Sequence, residues 1–318
     1  MPAPGSLKTV IGRIYGDPMS DSQAYGPQSR RLAQALEPVA GQVYFAAECH
    51  QNYDRLGFSP SPGTLPNGVQ LPDGPAYFTS RGSVMGQVPG ELVAAAFGVF
   101  NPETVARGVS AGWELTDAAT ICAARTDGAT AQLIRLLGED PAGLPRAAEL
   151  LARATAPLRP EGRPLYAGLV SLGLPDTPVG DVWRLADLLR EYRGDSHTAA
   201  WISADLNAPQ IGLLSELYWG LPMRTYVRTR AWSDRHLDEA EEQLRRRGLV
   251  DDDGMTPTGR ELRESIERAT DRQCEVIVRT LGDAFDELIE LLTPWGVAVR
   301  AGAGYPPHGP QDLAPARR

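Results

Sequence analysis

Residues 183–206 read WRLADLLREYRGDSHTAAWISADL, and the periodicity of this stretch decides the fold. At the α-helical angle of about 100° per residue, Leu185, Leu188, Leu189, Tyr192, Ala199 and Ala200 fall on one broad apolar face. That predicts one long helix with a face in a core. Arg190, Arg193 and His197 line up on the other side at i, i+3 and i+7, with Trp183 and Trp201 on the same stripe, one near each end. Asp187, Glu191 and Asp195 run along the flank. A cationic stripe bracketed by two indoles, opposite a core face, is the pattern of a pocket wall. Gly194 sits inside the helix, where glycine costs ~1 kcal/mol relative to alanine. It is there either for close packing or to leave room for a ligand.

The regions before and after this helix are also mostly helical. Upstream, helices are expected from near Ser22, from Gly41 to Leu56, from Pro89, from Pro102 to Trp113 and from Asp117 to Leu137. On the second of these, Tyr44 and Glu48 would share a face at i, i+4. Two shorter pieces follow at about 145–155 and 163–172. Residues 59–75 hold prolines 60, 62, 66, 72 and 75 and glycines 63, 68 and 74, which predicts a long irregular loop, either a lid or mobile. It leads to Tyr77 and Arg81. Downstream, 208–221 is a strongly apolar helix. Ser233 then caps a helix through Arg247, followed by Gly248-Leu249-Val250, an Asp-Asp-Asp-Gly turn, Thr256-Pro257 and a new helix. This order is that of a winged helix-turn-helix. The fold class expected is mainly α: a helical pocket domain over 21–206 and a winged helix-turn-helix domain with a small β-wing over 207–298. A flexible arm is expected over 1–20 and a disordered tail over 299–318.

Composition narrows the function classes. The 318 residues are 42% hydrophobic and 22% charged, which is ample for a core. The net charge of −9 opposes general affinity for nucleic acid or anionic membrane. Cys49, Cys122 and Cys274 are widely spaced and form no CxxC, so neither a disulfide framework nor a zinc knuckle is supported. No apolar run reaches transmembrane length, and the expected location is the cytoplasm. Phosphate-loop, dinucleotide, zincin and nucleophile-elbow motifs are absent, and no metal or cofactor is expected. DNA binding is disfavoured too. The predicted recognition helix carries Asp234, Asp238, Glu241 and Glu242 outward, and the wing turn adds three aspartates. A packing or dimerisation role, with a second copy as partner, fits this unit better.

The charged helix leaves two readings open. Its arginines and carboxylates can form an internal ion-pair network, in which truncating one partner would cost ~3–5 kcal/mol. Alternatively Arg190 and Arg193 bind an anionic or carbonyl-bearing ligand, with His197 as general acid or base. Asp195 cannot easily reach His197 from i−2, so an orienting carboxylate would come from another helix. Glu48 is the candidate for that partner. Tyr44, Tyr77 and Trp201 are candidate walls, and Arg81 is a candidate lid contact.

Several stretches together resemble one family: VYFAAE (43–48), YFTSR (77–81), FGVFNPETV (97–105), GRPL (162–165), LREYRGDSH (189–197), RAWS (230–233), RRRGLVDDDGMTPTGR (245–260) and ERATD (267–271). They are similar to the actinobacterial helical proteins with a C-terminal winged helix-turn-helix domain often called SalK-like, over roughly residues 25–295. In that family the central helix more often reads REHRGDGH. Tyr192 and Ser196 are departures here, which leaves His197 as the sole imidazole. The resemblance implies the fold and a setting in specialised metabolism. The first expected function is a cofactor-independent enzyme (cyclisation, dehydration or isomerisation) with His197 as acid or base, Glu48 or Asp195 as its electrostatic partner, Arg190 and Arg193 as anion stabilisers, and Arg81, Tyr44, Tyr77 and Trp201 holding the substrate. The alternative is a small-molecule-binding winged-helix protein without turnover.

Overall fold

The computed structural model describes residues 22–307. The arm expected over 1–20 and the last residues of the expected tail lie outside the described residues. The order is α1 (Ser22–Gly41), α2 (Ala47–Arg55), α3 (Gly74–Gly82), α4 (Gly90–Phe97), α5 (Pro102–Leu115), α6 (Ala118–Leu137), α7 (Leu144–Thr155), α8 (Pro164–Leu172), α9 (Pro178–Ser203), α10 (Ala208–Tyr218), α11 (Asp234–Arg246), β1 (Val250–Asp251), β2 (Gly254–Met255), α12 (Pro257–Leu281) and α13 (Phe285–Ala301). The only strands among the described residues are β1 and β2, paired antiparallel with Val250 opposite Met255. The fold is mainly α, with a wing.

Local sequence sets many of the helix ends. Asp73, Asn101, Asp117, Ser233 and Thr256 each accept a backbone N–H of the following first turn. Pro102, Pro178 and Pro257 stand at the start of their helices, where a missing N–H is harmless. The central helix α9 packs against α1, α6, α7, α8 and α12. Contact all round explains why its flank is as buried as its apolar face: Asp187, Glu191 and Asp195 are 0%, 2% and 4% exposed.

Two expectations fail on packing. The helix expected over Gly41–Leu56 is broken by a 3-10 turn at Gln42–Tyr44, and helix resumes only at Ala47. Gln42 is fully buried there, donating to the Ala129 carbonyl and accepting from Gln132. That tertiary anchor outweighs local helix propensity, and Tyr44 and Glu48 do not share a helix face. Nor is the whole of 299–318 a disordered tail. Val299 is fully buried, and Tyr305, 3% exposed, donates to Glu37 at 3.0 Å.

The described residues form two hydrophobic cores. The larger gathers α1–α9, the C-terminal half of α12 and α13. The smaller gathers Trp201, Ile211, Leu214, Val227, Leu237, Leu244, Leu249 and Ile266 from the end of α9 and the winged unit. Helix α12 runs through both, so the stretch 207–298 divides between them. The space between the cores is where the site lies.

Candidate functional site

A cavity of about 230 Å³ opens between the two cores, walled by α1, α9, α10, α12 and the segment that joins α10 to α11. Arg190, Arg193, Gly194 and His197 of α9 all line it. A Cβ added at Gly194 would meet only Glu191 Oε2, at an ordinary 3.6 Å. Close packing therefore does not demand glycine there, and its missing side chain leaves space in the cavity.

Glu191 anchors the first charged network. Arg81 grips it with two bonds, Nε to Oε1 at 3.1 Å and Nη2 to Oε2 at 2.8 Å. Arg190 Nη1 and the Tyr44 hydroxyl also donate to Oε1, at 2.9 and 3.0 Å. Arg190 reaches on to Glu37 of α1, which takes the Tyr305 hydroxyl as well. Burial pushes the Glu191 carboxyl up, but Arg81 and Arg190 outweigh it and hold it at about 2.

Glu267 of α12 anchors the second. Arg263 donates to it at 2.6 Å and Arg193 at 3.1 Å, and Arg193 also contacts Asp271. Burial opposes the Glu267 charge, yet Arg263, Arg193 and His197 hold the carboxyl well below its usual range. His197 Nδ1 lies 3.1 Å from Thr270 Oγ1. The Thr270 hydroxyl already donates to the Ile266 carbonyl at 2.9 Å. Its oxygen is therefore the acceptor, so Nδ1 carries the proton and Nε2 keeps a free lone pair. Burial, which the nearby Glu267 only partly offsets and which Arg263 and Arg193 reinforce, lowers the imidazole to about 4. His197 is neutral at pH 7.

Arg230, on the segment between α10 and α11, completes the lining. Its guanidinium lies 4.8 Å from the Phe100 ring centroid and 4.4 Å from that of Tyr226, and bonds the Tyr226 hydroxyl. Among the described residues it has no carboxylate partner, unlike Arg30, Arg81, Arg190, Arg193 and Arg263. Fully buried Glu216 holds this segment by accepting the backbone N–H groups of Arg224 and Val227.

Helices α10 and α11 enclose a turn with one 3-10 element, Val227–Arg230, and are followed by the wing and α12. Leu237, Ala240 and Leu244 are the buried face of α11, as its spacing predicts. A helix-turn-helix family model matches residues 29–306. The chain belongs to this helix-turn-helix family. No curated protein and no solved structure matches it. The match extends from α1 through α13, so it takes in the cavity and both cores as well as the winged unit. In this helix-turn-helix protein carboxylates on the outward face of α11 are held in ion pairs by arginines of α11 and of the segment before it. Arg224 bonds Asp238 and Glu241, Arg228 bonds Asp234, and Arg246 bonds Glu242.

The residues singled out from sequence separate into three groups. Arg81, Arg190, Arg193 and His197 meet at the cavity. Tyr44 and Tyr77 stand behind it, where their hydroxyls meet Glu191 and Arg81; they position charges and form no wall. Glu48, Asp195, Trp183 and Trp201 lie elsewhere. Glu48 pairs with Arg135 of α6 near the surface, because α2 packs against α6. Asp195 accepts the Tyr166 N–H at the start of α8, and burial with Glu191 nearby raises it to about 7. Trp183 donates to the Ala40 carbonyl in the first core, and Trp201 lies in the second. The stripe from one indole to the other runs ~27 Å at 1.5 Å per residue, and neither indole lines the cavity. Arg81 sits on helix α3, not on a lid, and no residue of 59–75 lines the cavity.

Sequence reasoning missed Glu37, Arg230, Arg263, Glu267 and Thr270 as site residues. A signal existed for some of them. Arg263 and Glu267 stand at i, i+4, and RAWS and ERATD carry Arg230, Glu267, Thr270 and Asp271.

Proposed function

We propose that this helix-turn-helix protein binds a small monoanionic organic molecule in the cavity between its two cores. The observation that carries this is Arg230, the one lining arginine without a carboxylate partner among the described residues. It is set against aromatic rings at the edge of a preformed, partly apolar cavity. A carboxylate or similar oxyanion would neutralise it, and the apolar residues of α1 and α10 would take the rest of the molecule. The resemblance of several stretches to SalK-like proteins supports a metabolite of specialised biosynthesis as occupant. The ion pairs within the α11 face favour packing over DNA reading as the role of the winged unit.

The test is thermal shift and equilibrium dialysis with pairs of small aromatic acids and their amides. Acids should bind and stabilise, amides should not, and Arg230→Gln should abolish the difference. Equal response to acid and amide, or an unchanged response in the variant, would end this reading.

A second reading, acid–base catalysis without a cofactor, is favoured by the free Nε2 of His197. A base near 4 is weak at neutral pH, and the carboxyl near 7, Asp195, is outside the cavity, which places this reading second. Under it, His197→Asn loses turnover of a bound molecule and keeps affinity; under the first, there is no turnover to lose.

A further inference from the structure

Where the N-terminal half of α9 crosses α6, a second group of charges is buried that the cavity does not use. Arg125 and Arg184 are 1% and 3% exposed, and Asp187 is 0%. Arg125 Nη2 donates to Asp187 Oδ2 at 2.8 Å, and Arg184 Nη2 to Thr126 Oγ1 at 2.9 Å. Among the described residues, the Nε and Nη1 atoms of both guanidiniums are buried with no hydrogen-bond partner. Thr126 has no second service to give, since its proton goes to the Cys122 carbonyl. Both guanidiniums lie over the Trp183 ring, 5.0 and 5.3 Å from its centroid.

The charges do not balance. Two guanidiniums share one paired carboxylate, Asp187. Among the described residues, extending the count to the ion-paired groups of the adjoining network brings in Arg81 and Arg190 against Glu191 and Glu37, and cations exceed anions by one. Asp181 Oδ1, one turn before Arg184, is buried with no hydrogen bond among the described residues and forms no ion pair with either guanidinium. A lysine in this position could shed its proton; an arginine cannot. Burial and Arg125 both press the proton affinity of Arg184 down, yet the charge remains. The orphaned donors also outnumber the orphaned oxygens of Asp181 and Asp187. Water can bond to both kinds but leaves the net charge in place, and an uncompensated buried ion is costly.

We propose that the unbonded N–H groups of Arg125 and Arg184 hold a small inorganic monoanion of the chloride class. The site is separate from the cavity and does not depend on what the cavity binds. A monatomic ion needs only about the volume of a water molecule, and the Trp183 ring lies against both guanidiniums that would hold it.

The experiment compares melting in sodium chloride and sodium gluconate at equal ionic strength. Chloride should raise the melting temperature by about 2 °C at tenfold excess over its dissociation constant. Arg184→Met, which keeps the length and removes the charge, should abolish the difference. Because that variant alters a packed core, crystals of the unaltered chain grown with bromide provide a second reading. An anomalous peak within hydrogen-bond distance of the Arg125 and Arg184 nitrogens supports the site. Equal melting in the two salts overturns it, as does a map showing water alone at those nitrogens.

Discussion

Helices α9 and α11 are built from the same charged residues and use them in opposite ways. On α11 the pairs are local and in water: Arg246 with Glu242, and Arg245 with Glu241 and the wing residue Asp252. On α9 the partners come from distant helices, Glu37 from α1, Arg81 from α3 and Glu267 from α12, and nearly all are buried. Burial, more than pairing, sets what such a charge is worth. A solvated pair trades water for protein at little gain, whereas a buried one becomes indispensable once its partner is in place.

The sharpest break of this comparison is Glu191→Ala. It strands Arg81, leaves Arg190 with Glu37 alone, and should cost roughly 3–5 kcal/mol, measured by urea denaturation. A loss below about 1 kcal/mol would put α9 in the same class as α11.

The next effect is a pH dependence. The His197 imidazole lies at about 4 in the fold, below its ordinary unfolded value. The unfolded chain therefore takes the proton first. Its contribution is present above about 6.5 and lost as pH falls from there toward 4, roughly 2–3 kcal/mol in all. Asp195, raised to about 7, works in the other direction and destabilises as pH rises. The His197 part is thus read as the difference between the native chain and His197→Gln across pH 4–7. Parallel stability curves would contradict it.

A smaller effect separates stability from binding. Gly194→Ala should stabilise by about 0.5–1 kcal/mol through helix propensity, since the new methyl group meets nothing tight. It should also weaken ligand binding by narrowing the cavity. If it destabilises the fold, Gly194 is there for packing after all. The smallest effect is expected on α11: Glu242→Ala should change stability by under about 0.5 kcal/mol in a denaturant titration.

Much of the fold was legible because its signals are local. The caps at Asp117 and Ser233 and the buried spacing of Leu237, Ala240 and Leu244 each act within one helix turn or one helix face. The site was legible in part. The stripe Arg190, Arg193, His197 does line the cavity, because three residues on one face of a straight helix stay together whatever surrounds it. Glu48 was misplaced because its expected position needed an unbroken helix through Tyr44, and buried Gln42 breaks it. Trp183 and Trp201 were misplaced because helical angle fixes a side chain's direction and says nothing about the neighbour it meets.

The sequence by itself determined a mainly helical chain with a wing, a long central helix, and a stripe on that helix where charge and an imidazole coincide. Only the tertiary structure decided the partners of that stripe, which come from as far as 153 residues away for Glu37 and Arg190. It alone decided that His197 is neutral and bonded to Thr270, that Asp195 caps another helix, and that Arg125 and Arg184 share too few carboxylates. The physical reason is range. Helix periodicity and capping act over a few residues, whereas the energy of a charge depends on every group and every layer of water removed around it.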